Sequence, residues 1–192
     1  AVLWTAFRGG GVRNLLATPP EDVGRAFDIG VVGLLACAQA VIDDLASSRG
    51  SLLVANGDMG EHSTAADRFA AQLDSDGVAL ENAAKSKLVG ILAARLRERG
   101  IYVGEVTIAG SVAGTETAEP SAIRPEDIAA QFWDLAQTRD SVRPVDRGPM
   151  EGWRGLLLPL HPPKRSRRSA LRTFPDAVRG SSSTTTTCLG LL

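Results

Sequence analysis

Apolar positions in residues 79–110 recur with two different periods, and these periods predict a long helix followed by a strand. Residues spaced three and four apart form a single apolar stripe, as in an amphipathic helix. The stripe consists of Ala84, Leu88, Ile91, Leu92 and Leu96. Three arginines in the last turns offset the negative helix end, and Gly100 supplies a stop. The next segment, 101–108, is mostly apolar, which predicts a strand covered on both faces and an α/β fold.

Two further strands are predicted before this stretch. Residues 1–6 and residues 50–57 are short apolar runs, and the second run ends in a turn at Gly57. Helix, turn and buried strand in alternation are typical of right-handed crossover units, so we expect the strands to be parallel.

Three more helices are predicted from spacing and from helix start signals. Residues 18–48 keep the helical period for several turns, with Thr18 as the N-cap and Glu21 completing a capping box. A short helical pattern surrounds Phe69, and another helix runs from Arg124 to about Asp140. The apolar face of the helix in 18–48 is wide, which is consistent with burial under the sheet or against a partner subunit.

Composition and charge exclude some classes of function. The chain has 192 residues, of which 44% are hydrophobic, and a formal net charge of −1, as expected of a soluble globular domain. From Val142 onward, nine Lys and Arg stand against three Asp and Glu, a balance of +6 that leaves −7 for residues 1–141. The part expected to fold is therefore mildly acidic, and no nucleic-acid partner is predicted.

Cysteine usage and hydropathy point to a cytoplasmic protein without a metal site or a membrane segment. Cys37 and Cys188 lie far apart and have no metal-ligand neighbours, so neither a disulfide framework nor a metal centre is expected. No apolar run reaches the length of about 18 residues that a membrane span needs. The sequence starts at Ala1 directly in a strand pattern, without a signal-peptide pattern, which leads us to expect a fragment.

The composition changes at Val142, which divides the chain into a folded part, residues 1–141, and a tail, residues 142–192. Proline, arginine and glycine dominate the first part of the tail, and serine and threonine its end. We expect this tail to be disordered or non-native, because it cannot bury enough apolar surface to offset its ordering entropy. Its basic cluster around Arg167 leaves a nuclear-import or anionic-surface patch as the alternative.

The stretch around Lys85 resembles the active-site helix of the short-chain dehydrogenase/reductases (SDRs), in which Tyr-x-x-x-Lys precedes a strand ending near Pro-Gly. Lys85 and the five residues after it look like that lysine and its continuation, and Ala109-Gly110 stands where the family has Pro-Gly. The resemblance covers residues 1 to about 140. It implies a three-layer, Rossmann-like parallel sheet flanked by helices, without the first β-α-β units, since the glycine-rich nucleotide turn is missing.

The resemblance also implies site residues, and most of the family's polar groups are replaced. Glu81 stands where the catalytic tyrosine is expected, Gly57 at the serine, and Gly30 at the asparagine of the proton relay. Lys85 is in place, as a catalytic residue and as a contact to the cofactor ribose. Thr115, one residue out of register, is the nearest match to the threonine beside the cofactor amide.

Glu81 allows two interpretations. As a general acid it would need a pKa several units above its reference value of about 4.3, and Lys85, one turn away, would lower that pKa instead. The alternative, which the spacing favours, is a solvated ion pair between residues i and i+4.

The sequence therefore supports two functional hypotheses. By descent the chain is an SDR-like NAD- or NADP-dependent oxidoreductase acting on a carbonyl or an alcohol, and as given it is expected to be a truncated form without activity that binds no cofactor. The alternative is a non-catalytic interaction module with a decayed site. In either case we expect a homo-oligomer through the helices in 18–48 and 79–99, which a charge at Leu34 or Leu92 should separate into monomers.

Overall fold

Three parallel strands organise the part of the chain that the computed structural model describes, which is residues 1–7, 11–116 and 118–143. The strands are β1 (Val2–Trp4), β2 (Ser51–Gly57) and β3 (Tyr102–Ile108), in the order β1-β2-β3. All three predicted strands and their parallel pairing are confirmed, with helices packed on the sheet as the α/β prediction requires.

The long helix predicted over residues 79–99 is confirmed as α4 (Asp76–Leu96), which continues into a 3₁₀ turn, Arg97–Arg99. It begins at Asp76, three residues before the predicted start at residue 79. Gly100 ends it in the left-handed conformation, with φ +71°, a conformation that favours glycine because it has no Cβ. The chain then turns directly into β3, so α4 and β3 are placed side by side as one unit.

The helix predicted over residues 18–48 is not one regular α-helix. It consists of α1 (Pro20–Val23), a 3₁₀ turn (Gly24–Phe27), a π-helical turn (Asp28–Gly33) and α2 (Leu34–Ser47). The π-helical turn contains Gly30, which lies against Glu81 of α4. Such π-helical turns often occur near functional sites.

The predicted capping box at the start of this segment is wrong. The N-cap is Pro19, without a side-chain hydrogen bond, and the Thr18 hydroxyl donates instead to the carbonyl of Asn14 at 2.8 Å. Because proline has no N–H and fits the first helical turn, α1 can begin without a capping side chain.

Two shorter helices occur where the sequence predicts them. Helix α3 (Thr64–Gln72) begins after Ser63, whose hydroxyl accepts a hydrogen bond from the backbone N–H of Ala66 at 3.1 Å. Helix α5 (Pro125–Thr138) begins with a proline in its first turn and ends at Arg139.

Apolar side chains cover both faces of the sheet. On one face, β2 and β3 pack against α2 and α4 through ten buried residues. These are Leu34, Ala38, Leu45, Leu52, Val54, Val89, Leu92, Leu96, Ile101 and Val103. On the other face, Leu53 and Val106 pack against Phe132 and Leu135 of α5. The prediction of a three-layer arrangement is therefore confirmed for the described residues.

One stretch of the described residues, Pro20–Ser47, is long and apolar enough to cross a membrane by length and composition. The stretch meets this criterion although the sequence has no uninterrupted apolar run of about 18 residues, because a helical window tolerates a few polar residues. Leu34, Ala38 and Leu45 of this stretch pack in the core, although only 22% of its most apolar window is buried.

The predicted boundary at Val142 lies beside β3. The backbone N–H of Glu105 donates to the Val142 carbonyl at 2.8 Å, and the Tyr102 hydroxyl donates to the Ser141 carbonyl at 2.6 Å. The prediction of a disordered or non-native tail covers residues 142–192. Val142 and Arg143, its first two residues, are described and contact Glu105, whereas residues 144–192 lie outside the described residues.

Candidate functional site

The site that the sequence predicts lies where α4 passes the end of β2. Gly57 is the last residue of β2, and Asn82 of α4 lies against it. A Cβ built on Gly57 would be 2.5 Å from Nδ2 of Asn82, which is closer than real Cβ atoms approach a neighbour. The position where the family has its serine is therefore closed to any larger side chain unless Asn82 moves.

The second replaced position, Gly30, is filled in the same way from α4. Gly30 lies in the π-helical turn, and a Cβ built on it would overlap the carboxylate of Glu81. Glu81 is only 1% exposed. The glutamate at the tyrosine position thus occupies the space that a side chain at the asparagine position would need.

Lys85 lies one turn after Glu81 and is also 1% exposed. Burial lowers the pKa of the Lys85 ammonium below its usual value, while the nearby carboxylates of Glu81 and Glu105 act in the opposite direction. The interpretation of Glu81 and Lys85 as a solvated surface pair is wrong, because both side chains face the interior between α4, the π-helical turn and the sheet. The structure brings the two predicted residues together, in an enclosed group that includes Glu105.

Thr115 is not part of this group. It lies in the loop after β3, is exposed, and its hydroxyl donates to the carbonyl of Val112 at 2.7 Å. Its assignment as a cofactor contact stays a prediction. Within the described residues, no cluster of three or more His, Cys, Asp or Glu side chains could hold a metal ion.

A buried polar network that the sequence analysis missed lies beneath α4. The side-chain amide of Asn56 donates to the backbone carbonyl of Asn82 at 2.9 Å and to Oε1 of Glu105 at 2.8 Å. Arg143 reaches the other carboxylate oxygen of Glu105 through Nε at 3.2 Å and donates to the Ser86 carbonyl through Nη2. The network joins β2, α4 and β3 to Arg143, the second residue of the predicted tail.

One signal in the sequence could have indicated this network. Glu105 interrupts an otherwise apolar strand, and a charged residue in such a strand is buried only when it has partners. The register pairs Val54 with Glu105 and Asn56 with Thr107, so the polar side chains of the two strands alternate onto the face that α4 covers.

A cavity of about 330 Å³ adjoins this network. Its walls come from the ends of β2 and β3, from α4, from the segment before α3 and from Arg143. Asn56, Asn82, Glu105 and Thr107 line it, whereas Glu81 and Lys85 do not belong to its described lining. Glu81 and Lys85 are thus outside the cavity, but Glu105 and Gly57, the position matched to the family's serine, line it.

Solved structures of SDRs have a similar fold. A 3-ketoacyl-ACP reductase from Sinorhizobium meliloti 1021 matches with a TM-score of 0.59 at 18% identity, over 75% of this chain and 65% of its own. An acetoin dehydrogenase from Enterobacter cloacae matches with a TM-score of 0.59 at 16% identity, over 73% of this chain and 59% of its own. A metagenomic short-chain oxidoreductase in complex with NADP matches with a TM-score of 0.54 at 20% identity, over 74% of this chain and 60% of its own.

No protein-family model matches the sequence, and no curated protein sequence matches it significantly. The chain spans about 60% of the length of the solved structures it resembles.

The residues described here do not fit the nicotinamide nucleotide that such a fold implies. The ammonium of Lys85 is enclosed near two carboxylates and has no access to a ribose, and the neighbouring positions Gly30 and Gly57 carry no side chain that could contact a substrate. At identities of 16 to 20% the similarity establishes the fold and leaves the activity open. The described part of the chain has the Rossmann-like fold of the short-chain dehydrogenase/reductases.

Proposed function

We propose that the chain descends from an NAD(P)-dependent oxidoreductase of the SDR type, and that its described part covers the second half of such a domain without catalysing hydride transfer. Its role is then that of a self-associating module. The observation that carries this proposal is the filling of the site from α4. Glu81 occupies the space at Gly30 and Asn82 the space at Gly57, so no hydroxyl remains where the family places its proton-transferring groups.

The chemistry of the enclosed group supports the loss of catalysis. A general acid or base must lie within hydrogen-bond reach of the group it protonates, in a place that a substrate can enter. Glu81 and Lys85 are each 1% exposed, and Lys85 interacts with the carboxylates of Glu81 and Glu105. The group is therefore a structural ion cluster that fixes α4 on the sheet.

An exposed apolar face on the helices before β2 supports self-association. No charged residue occurs in 29–42, and Ile29, Val32 and Leu35 are exposed although they are large and apolar. A monomer rarely leaves such a continuous apolar face in water, and a second copy of the chain would cover it. This is also the helix that packs against a partner subunit in the resembled family.

Leu34 and Leu92 belong to the core instead, with exposed fractions of 0% and 8%. A charge at either position would disrupt the packing of α2 or α4 against the sheet, so self-association is better tested at an exposed position.

Cofactor titration tests the loss of activity. We expect no saturable fluorescence change when the chain is titrated with NADH or NADPH at micromolar concentration. With the glycine-rich turn absent, affinity should be no better than millimolar, about −4 kcal/mol. Lys85→Met, which keeps the length of the side chain, should give the same titration curve as the unmodified protein.

A dissociation constant in the micromolar range that Lys85→Met weakens would contradict the proposal. It would show that the ammonium reaches a cofactor, and it would restore the oxidoreductase hypothesis for the chain itself. Circular dichroism of both proteins checks that the comparison is made between folded chains.

A further inference from the structure

We propose that a cleft at the C-terminal end of α4 binds a small monocarboxylate with a short apolar body, and that Arg97 and Arg139 hold its carboxylate. The inference goes beyond the proposed function, because this cleft is remote from the positions where glycines meet α4. At a rise of about 1.5 Å per residue, Ala93 in the cleft lies roughly 16 Å along the helix from Asn82. The proposal depends neither on dinucleotide binding nor on self-association.

The first observation is the size and accessibility of the cleft. Its walls come from the last turns of α4, the start of β3 and residues 139–142, and its volume is about 240 Å³. Sites for drug-sized ligands begin at about 300 Å³, so this volume suits a smaller molecule. Ala93, Tyr102 and Val142 in the walls are half-buried, so part of their apolar surface is open to a ligand.

The second observation is the state of the two guanidinium groups that line the cleft. Among the described residues, the exposed Arg97 side chain forms neither a hydrogen bond nor an ion pair. Arg139 is held in place by backbone carbonyls, since Nε donates to Ala136 at 3.1 Å and Nη1 to Arg49 at 2.8 Å. Its Nη2 is left for an acceptor in the cleft. A guanidinium that is already oriented loses little freedom when it binds a carboxylate.

The third observation is the charge balance of the walls. Arg97 and Arg139 are the two cations of the described lining and Asp140 is its one acid, so the lining has a net charge of +1. A monoanion neutralises this charge, whereas a dianion exceeds it and is repelled by Asp140. A cation would face two guanidinium groups. The accessible apolar wall adds a preference for a short hydrocarbon chain beside the carboxylate.

Heteronuclear NMR of the ¹⁵N-labelled chain tests the site at neutral pH and constant ionic strength. The probes are sodium butyrate, n-butylamine hydrochloride and 1-butanol, which share a four-carbon body, and sodium phosphate as an anion without one. We expect saturable shifts of the Nε–H signals of Arg97 and Arg139 for butyrate, with a dissociation constant on the order of 10 mM. Butylammonium and butanol should give none, and phosphate should bind more weakly than butyrate.

Arginines near a helix end also offset its negative partial charge, so the variants must separate this role from binding. Arg97→Met should weaken butyrate binding about three- to fivefold, as expected of an exposed charge pair. Arg95→Met is the matched control, because Arg95 is an exposed arginine in the same last turns that does not line the cleft. It should leave binding unchanged.

Two further variants test the charge balance and the second guanidinium. Asp140→Asn removes the acid from the lining and should tighten butyrate binding. Arg139→Gly should weaken it, and the φ of +52° at this position suits glycine. Circular dichroism checks that each variant is folded.

Four results would overturn the proposal. They are the absence of saturable shifts for butyrate in the unmodified chain, binding of butylammonium, butanol or phosphate as tight as that of butyrate, an equal loss of affinity in Arg95→Met and Arg97→Met, and weaker butyrate binding by folded Asp140→Asn. The second would assign the cleft to another chemical class, and the third would reduce Arg97 to a charge at the helix end.

Discussion

Gly30 and Glu81 form a matched pair at the scale of single residues, because the missing side chain of one makes room for the carboxylate of the other. Gly57 and Asn82 form a second such pair at the end of β2. Gly30 belongs to the π-helical turn and Gly57 to β2, whereas both larger residues belong to α4. In each pair a side chain of α4 thus occupies the space beside a glycine.

Gly30→Ala should therefore destabilise the fold. The added methyl group would overlap the Glu81 carboxylate, and overpacking of this kind costs about 1–3 kcal/mol. Gly24→Ala is the matched control, because a Cβ there meets nothing within 4 Å and its backbone is right-handed helical. That control should stabilise the chain by about 0.4–1 kcal/mol. Urea denaturation measures both.

A double-mutant cycle tests whether the two residues share this space. It combines Gly30→Ala and Glu81→Ala, singly and together. Removing the carboxylate should relieve the overlap, so the cost of Gly30→Ala should be smaller when Glu81 is absent. Costs that are equal in the two backgrounds would show that the two residues do not share the space.

Lys85 should give the folded chain a pH dependence of known sign. Burial lowers its pKa below 10.5 in the folded state, and unfolding restores that value. Between the two values the unfolded chain binds more protons, so stability rises with pH in this interval. The free energy of unfolding of the unmodified chain, relative to Lys85→Met, should therefore increase as the pH approaches 10.5 from neutrality.

Tyr102 acts in the opposite direction and has to be removed from the comparison. Burial raises its pKa above 10, so its contribution to stability is lost as the pH rises through the folded value. Both proteins should therefore carry Tyr102→Phe, and Lys87→Met, at an exposed position of the same helix, controls for loss of a positive charge. A stability difference that stays constant with pH would contradict the burial of a charged Lys85.

At the scale of elements, the sequence predicts the regular parts of the fold well. The period of α4, the glycine stop and the apolar run of β3 are local signals, and each is confirmed by the structure. The 3₁₀ and π turns between α1 and α2 could not be predicted, because they depend on the approach of α4 at Gly30, which is distant in sequence. The burial of Glu81 and Lys85 was missed for the same reason, since the spacing of four residues is equally compatible with a solvated pair.

The contact between β3 and residues 141–143 is another long-range feature, and it leads to a prediction. The Tyr102 hydroxyl donates to the Ser141 carbonyl at 2.6 Å, at a half-buried position. Tyr102→Phe should lower the free energy of unfolding by about 0.5–1.5 kcal/mol, because it removes one hydrogen bond and keeps the ring. Thermal or urea unfolding near neutral pH measures this, with Thr64→Val, at an exposed hydroxyl in the first turn of α3, as a control.

An unchanged stability of Tyr102→Phe would mean that the segment does not hold the edge of β3. In that case the predicted boundary at Val142 would also mark the end of the packed core. A loss in the expected range would show that at least Ser141 is part of the folded domain.

At the scale of the whole molecule, the exposed apolar face of the segment from Ile29 to α2 is a feature that contacts among the described residues leave unexplained. Leu35→Glu places a charge on this face at a position that is 38% exposed, so it should leave the core intact and separate a dimer into monomers. Trp133→Glu is the matched control, because Trp133 is an equally apolar surface residue of α5 with 70% exposure and lies on the opposite side of the sheet. It should leave the dimer unchanged.

Sedimentation velocity distinguishes the outcomes, and the unmodified chain is measured first. A stable monomer at micromolar concentration would contradict self-association, whatever the variants do. If the unmodified chain is a dimer and Trp133→Glu dissociates it while Leu35→Glu does not, the interface lies on α5, and the helices before β2 have another occupant. If these helices form the interface, we expect Leu35→Glu alone to dissociate the dimer, with an unchanged circular dichroism spectrum. The reason is that a glutamate buried between two apolar faces has no counterion in the opposing copy.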